Sequence, residues 1–160
     1  MNERRDPAAP PETGISVPPP FVILLALLVS FLPYLAWPYG IGLPWYVRFP
    51  LALALAAPFF LIFPSIFREF GKLGVDYDVR KMPAQLVTGG PFRFSRNPGY
   101  LLFLLIFLGI AVAVDNLWSF PLIAAAFVFV RHVVIQEERV LENRFGQDYL
   151  EYKRRVRRWI

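Results

Sequence analysis

Four apolar stretches, 21–37, 50–67, 99–114 and 117–135, dominate the chain and leave few folds open to it. Each is uncharged or nearly so over most of its length, apart from Arg131 and His132 near the end of the fourth. Over the 160 residues 56% are hydrophobic and 17% aromatic, more than the roughly 45–50% apolar content of an ordinary soluble domain. Stretches of this kind are stable in a bilayer only when each closes its own backbone hydrogen bonds as a helix. The fold class that follows is an all-α integral membrane protein with about four transmembrane helices.

The punctuation between the stretches adds detail. Pro50 suits the first turn of a second helix, while Pro33, Pro58 and Pro64 fall inside helices and should bend them. Residues 38–49 carry Tyr39, Trp45 and Tyr46, side chains that favour the membrane interface. The stretch 100–114 covers roughly 22 Å at ~1.5 Å per residue, short of a hydrocarbon core of ~30 Å. Asp115 and Asn116 form a turn signal, so the third and fourth helices make a hairpin. Beyond Ile135 the pattern becomes amphipathic, with Leu141, Phe145, Tyr149, Tyr152, Val156 and Trp159 recurring at spacings of four and three. Gly146 divides this C-terminal helical region, 136–160, and its first piece continues the preceding helix. Residues 1–20, with six prolines, are expected to be a disordered tail, and 21–160 a single domain with a polar connection over 68–98.

Basic residues number two before the first stretch, one between the first and second, six over 68–98, none in the hairpin turn and seven after Ile135. The positive-inside rule therefore puts both termini and the 68–98 connection in the cytoplasm, in what would be the inner membrane of a prokaryote. Arg4-Arg5 hints at an export signal, but the following apolar run lacks a small-residue cleavage site and reads as a retained anchor. The net charge of +5 arises beside apolar runs, where anionic lipid headgroups, rather than nucleic acid, are the natural partner. With no cysteine and His132 as the sole histidine, disulfides, thiol chemistry and imidazole-based metal centres are not expected.

Two polar islands stand out against this background. The first is Leu86-Val87-Thr88-Gly89-Gly90-Pro91-Phe92-Arg93-Phe94-Ser95-Arg96-Asn97-Pro98-Gly99-Tyr100. The second is Glu137-Glu138, followed by Leu141, Phe145-Gly146 and Tyr149-Leu150-Glu151-Tyr152-Lys153. Both lie on the expected cytoplasmic face and could form one site. Glutamates adjacent on a helix point about 100° apart, so one can face a pocket while the other pairs with a cation. An isolated glutamate pair is an ordinary solvated feature; the ordered string upstream is what sets this one apart. Arg131, one to two turns before the pair, is ionisable inside an apolar helix and hence a functional candidate, ahead of His132.

These motifs resemble the isoprenylcysteine carboxyl methyltransferase family, which is related to the membrane phospholipid methyltransferases. The resemblance covers 86–156, from Leu86-Val87-Thr88 through Gly90 and Arg96-Asn97-Pro98 to Tyr100, then Glu137-Glu138, Phe145-Gly146 and the tyrosine-rich basic segment. The chain departs from the family pattern at Asn97 in place of histidine, Leu102 in place of glycine, Phe92 in place of tyrosine and Ala84 in place of an upstream histidine. The last departure bears on a prenylcysteine substrate more than on the methyl donor.

The resemblance implies an S-adenosylmethionine-dependent methyltransferase acting on a lipophilic or prenylated acceptor, with a carboxylate as the leading acceptor group. It implies that Gly90, Arg96, Asn97, Pro98 and Tyr100 line one side of the cofactor and Glu137 and Glu138 the other. Arg131 and Arg93 would position an anionic headgroup whose tail enters from the bilayer. Methyl transfer from a sulfonium needs no metal. The alternatives are a phospholipid N-methyltransferase, an NADPH-dependent reductase resembling the sterol reductases, and a non-catalytic membrane scaffold.

Overall fold

The computed structural model describes residues 18–74 and 85–160, and every regular element among them is helical. Residues 1–17 of the proline-rich tail, and Ala84, lie outside the described residues. The first helix, α1, spans Pro19–Ala36. It begins two residues earlier than the apolar stretch suggests, because Pro19 occupies the first helical position, where its missing N–H is no loss. The second, α2, spans Trp45–Lys72. Its start is not at Pro50 but at Trp45, after an extended Pro44 whose carbonyl accepts from the amides of Val47 and Arg48, both at 3.0 Å. Its end also lies beyond 67, so Glu69 and Phe70 ride on a helix rather than in the connection.

A short 3-10 turn, Gly90–Arg93, leads to α3, Pro98–Ala113. Helix α4 covers Ser119–Phe145 and α5 Gln147–Arg155. Helices α1, α2 and α4 are long and apolar enough to cross a membrane, and α3 is shorter, at 16 residues. Together they make an all-α integral membrane protein. Helix α3 packs on α1, α2 and α4, and Leu102, Leu104, Phe107, Gly109, Ala111 and Val112 are buried. A central helix is shielded by its neighbours, so it can be short without exposing its ends to lipid. Helix α2 approaches it closely at Gly109, where a Cβ would lie 2.9 Å from the carbonyl oxygen of Ala52. Phe59, Phe63 and Phe103 interlock above this contact, with ring centroids 4.6 to 5.3 Å apart. The outward faces of α1 and α2, including Leu25, Leu32, Leu53, Phe60 and Leu61, are exposed, as lipid-contacting surfaces must be.

The two ends of α3 are both polar. At its C-terminal end Asp115, in the left-handed region with φ 58°, turns the chain. Its carboxylate accepts from the amide of Ile41 at 2.9 Å and pairs with Arg48 at 3.0 Å. Asn116 is fully buried and donates to the backbone and hydroxyl oxygens of Ser30, while Ser119 bonds the same hydroxyl. The turn therefore holds more than a reversal of direction.

The C-terminal region divides at Gly146, as the sequence suggests, but its helices do not run to 160. Residues up to Phe145 extend α4, Gly146 with φ +52° ends it, and α5 stops at Arg155. Val156 is extended, and the last residues form a strap that returns to the start of α3. Trp159 anchors it against the core cluster of Ile23, Leu104, Phe107 and Val130, with Phe127 alongside at 5.5 Å.

Candidate functional site

The start of α3 and the strap are sewn together by the first polar island. The Ser95 hydroxyl accepts from the Asn97 amide at 3.1 Å and donates to the Arg158 carbonyl at 3.2 Å. The Asn97 side chain donates to that same carbonyl, also at 3.2 Å. The Arg96 amide donates to the Arg157 carbonyl at 3.0 Å, and its guanidinium reaches the carbonyls of Val156 (2.6 Å) and Lys153 (3.2 Å). Asn97, at φ −133° and ψ 53°, stands outside the helix ahead of Pro98, whose ring pre-sets the first turn of α3.

The two glutamates then divide their roles. Glu138, 4% exposed, is held between two guanidiniums. Arg96 Nε and Nη2 donate to its Oε1 at 3.0 and 2.8 Å, and Arg158 Nε and Nη2 donate to Oε1 and Oε2 at 3.1 and 2.8 Å. Its acceptor capacity is largely spent, and its hydrogen bond holds the Arg158 pKa above its ordinary value. Glu137 instead accepts from the Tyr100 hydroxyl at 2.7 Å and has no cation partner among the described residues. Of the pair, Glu137 is the one with acceptor capacity to spare.

A cavity of about 100 Å³ lies where the islands meet. Arg96, Asn97, Glu137, Glu138, Tyr149 and Tyr152 contribute its polar lining, and Phe70, Leu86, Val87, Phe92 and Leu141 its apolar walls. The Tyr152 hydroxyl donates to the Phe92 carbonyl at 2.8 Å. The Tyr149 hydroxyl is buried and has no hydrogen-bond partner among the described residues. Leaving such a group unpaired costs about 1–3 kcal/mol, so a buried orphan beside a cavity marks a place for a polar ligand atom. Burial, with Glu138 nearby as a further cause, raises the pKa of the Tyr149 phenol, and burial does the same for Tyr152. Both remain protonated at neutral pH and serve as donors rather than bases.

The other expected site residues are spread around this cavity. Pro98 is buried at the start of α3, and Tyr100 meets the cavity through Glu137. Gly90, at φ +54°, does not line it; the Glu69 side chain packs against Gly89 and Gly90, where a Cβ on Gly90 would lie 2.7 Å from Glu69 Cγ. Arg93 is exposed and lines a second, polar cavity. Arg131 is exposed on α4 and lines neither cavity, and the neighbouring His132 faces Gln136 at 2.8 Å. Sequence reasoning missed Glu69 and Arg158, and placed Tyr149 in the second island without giving it a role. Arg158 read as one more basic residue near a membrane, although a buried carboxylate between apolar helices implies cations brought from somewhere.

The pattern of the phospholipid methyltransferase family matches residues 47–148, more than half of the chain and inclusive of both islands' charged residues up to Asp148. The chain belongs to the phospholipid methyltransferase family. It is therefore an enzyme, a methyltransferase, and the usual methyl donor of this family is S-adenosylmethionine. This family is related to the isoprenylcysteine carboxyl methyltransferases that the motifs resemble. Family membership favours methyl transfer over the reductase and scaffold alternatives. Comparison with the curated proteins and with the solved structures gives no match. The family match stops before Tyr149, Tyr152 and Arg158, so what those residues do rests on their geometry alone.

Proposed function

We propose that the protein transfers a methyl group from S-adenosylmethionine to the headgroup of a membrane lipid at the cytoplasmic boundary of the bilayer. The observation that carries this reading is the convergence of Glu137, Asn97, Arg96 and the orphaned Tyr149 hydroxyl on one cavity. The residues present fit the polar end of such a cofactor. Glu137 can accept from an ammonium group, Tyr149 can donate to a carboxylate or hydroxyl, and Leu86, Val87 and Leu141 offer apolar contact. About 100 Å³ accommodates that end rather than the whole molecule.

S-adenosylmethionine, when bound, supplies an electrophilic methyl group on sulfur and departs as a neutral thioether. What remains for the chain is to align the reactants and exclude water. The Arg96–Glu138–Arg158 clasp fixes the strap over the start of α3 and closes one side of the cavity. An amine acceptor must also shed a proton before it attacks, whereas a carboxylate acceptor need not. Arg131, one to two turns before Glu137 on α4, would meet the anionic part of the acceptor while its tail lies in the bilayer.

The family match supports a phospholipid amine as the acceptor. A carboxylate, as in the prenylcysteine enzymes, is the second reading, favoured by the motif string around Arg96-Asn97-Pro98. Radiolabelled methyl transfer by the purified full chain to phosphatidylethanolamine and to a prenylated carboxylate decides between them. Label appearing in phosphatidylethanolamine, with turnover lowered in Arg131→Ala and donor affinity intact, is the expected outcome. Label only in the carboxylate moves the function to the second reading, and label in neither overturns both.

A further inference from the structure

A second cavity of about 330 Å³ is lined by Thr88, Gly89, Arg93, Tyr152, Arg155 and Val156, and shares Tyr152 with the lining of the first. Arg93 ends the 3-10 turn and Arg155 ends α5, so two separate elements bring a guanidinium each to one space. Neither has a carboxylate partner among the described residues. Arg155 touches only the backbone oxygen of Glu151, at 3.4 Å. Of the carboxylates on neighbouring elements, Glu138 is paired with Arg96 and Arg158, Glu142 with Lys153 and Glu69 with Lys72, while Glu151, one turn before Arg155 on α5, is exposed and forms no ion pair with it. The exposed Thr88 side chain adds a hydroxyl donor. We propose that this outer cavity is a binding site for the phosphate of a membrane lipid.

Two uncommitted guanidiniums and a hydroxyl around one space match the oxygens of a phosphodiester, which accepts hydrogen bonds from several directions and carries a negative charge. The surroundings point to a lipid as the source of that phosphate. Phe94, next to Arg93, is 79% exposed, and Ile160, near Arg155 and Arg157 in sequence, is 78% exposed. Apolar side chains beside arginines at the end of membrane-crossing helices sit at the headgroup level, with the apolar part reaching into the acyl boundary. The basic run Lys153-Arg154-Arg155 and Arg157 adds attraction to an anionic surface. The site stands whatever occupies the inner cavity, because neither Arg93 nor Arg155 takes part in that lining. A lipid phosphate here would seat α5 and its strap on the membrane surface.

The test is isothermal titration of the full chain in dodecyl maltoside with dihexanoyl phosphatidylglycerol, which carries a phosphodiester but no amine to methylate. Saturable binding is expected, weakened about tenfold or more by Arg93→Ala and by Arg155→Ala, retained in Arg144→Ala, and reduced by salt. Thr88→Val, a milder change, should weaken it less while leaving the melting temperature unchanged. Equal affinity in the Arg93→Ala/Arg155→Ala double variant overturns the site. So does an equal loss in Arg144→Ala, which would mean only diffuse surface charge. Dihexanoylglycerol binding as well as the phospholipid removes the phosphate from the argument, and inorganic phosphate binding as tightly as the lipid overturns the lipid assignment.

Discussion

Helix α3 has buried polar side chains beside both of its ends, and the two clusters differ in what they leave unspent. At the Asp115 end, Asn116, Ser30 and Ser119 satisfy one another through contacts of 3.1 to 3.3 Å, and Asp115 is shared between Arg48 and the Ile41 amide. The buried orphan there, Arg48 Nε, belongs to a guanidinium already ion-paired. At the Arg96 end, Glu138 is saturated, yet beside it sit a cavity, a glutamate with one neutral partner and an orphaned phenol. Buried polarity in a membrane protein can therefore be a fastening or a site. Spare hydrogen-bonding capacity next to empty volume is what separates the two.

The largest expected effect falls on the fastening inside the site. Glu138→Ala would leave Arg96 and Arg158 facing each other without a counter-charge, a loss of about 3–5 kcal/mol for a buried pair. It should appear as a marked drop in melting temperature in detergent. If the variant instead melts like the parent and loses only donor affinity, Glu138 is a ligand contact and the division between the two glutamates fails.

Glu137→Ala should do the opposite. It removes one hydrogen bond to Tyr100 and the acceptor available to the methyl donor, so S-adenosylmethionine affinity should fall by about 1.5–3 kcal/mol, the range for hydrogen bonds to charged groups. The melting temperature should move little. Calorimetric titration showing parental affinity would mean that Glu137 is a solvated helix residue and that the cavity belongs to something else.

Asn116→Ala, at the other end of α3, sharpens the contrast. It strips the centre from the Ser30–Asn116–Ser119 cluster and should cost about 1 kcal/mol, in keeping with the modest value of polar contacts between membrane helices. Donor affinity and turnover should be unchanged, as measured by calorimetry and methyl transfer on the same preparation. A loss of donor affinity as large as that of Glu137→Ala would couple the two ends and erase the distinction between them.

The architecture was legible in the sequence because hydrophobic runs report burial in lipid directly. The helices and the break at Gly146 follow from that pattern, and so does the meeting of the two islands, since both abut apolar runs expected on one face. The helix ends were not legible: Arg68, Glu69 and Lys72 stop an apolar run without stopping a helix, so Glu69 came to Gly89 and Gly90 unannounced. Nor was the strap. Arg157 and Arg158 contribute through backbone carbonyls as much as through charge, and a carbonyl leaves no trace in the residue type. The assignment of Glu138 to Arg158 depends on the path the chain takes after the break at Gly146, which no local pattern specifies.

The smallest and most discriminating change is Tyr149→Phe, which removes one oxygen atom and nothing else. In a fastening, a buried hydroxyl is hydrogen-bonded, and its deletion destabilises. Here the hydroxyl has no partner, so removing it should leave the melting temperature unchanged or slightly higher, by up to about 1 kcal/mol in stability. In the presence of the methyl donor the sign should reverse. If the hydroxyl is held unpaired for a ligand atom, S-adenosylmethionine affinity should fall by about 0.5–1.5 kcal/mol, the net value of a neutral hydrogen bond. The donor should then raise the melting temperature of Tyr149→Phe less than that of the parent. Ring packing is preserved in phenylalanine, so a change in affinity cannot be ascribed to a collapsed cavity wall. Equal affinity in parent and variant would show that the orphan waits for nothing, and the Arg96 end of α3 would then be a fastening like the Asp115 end.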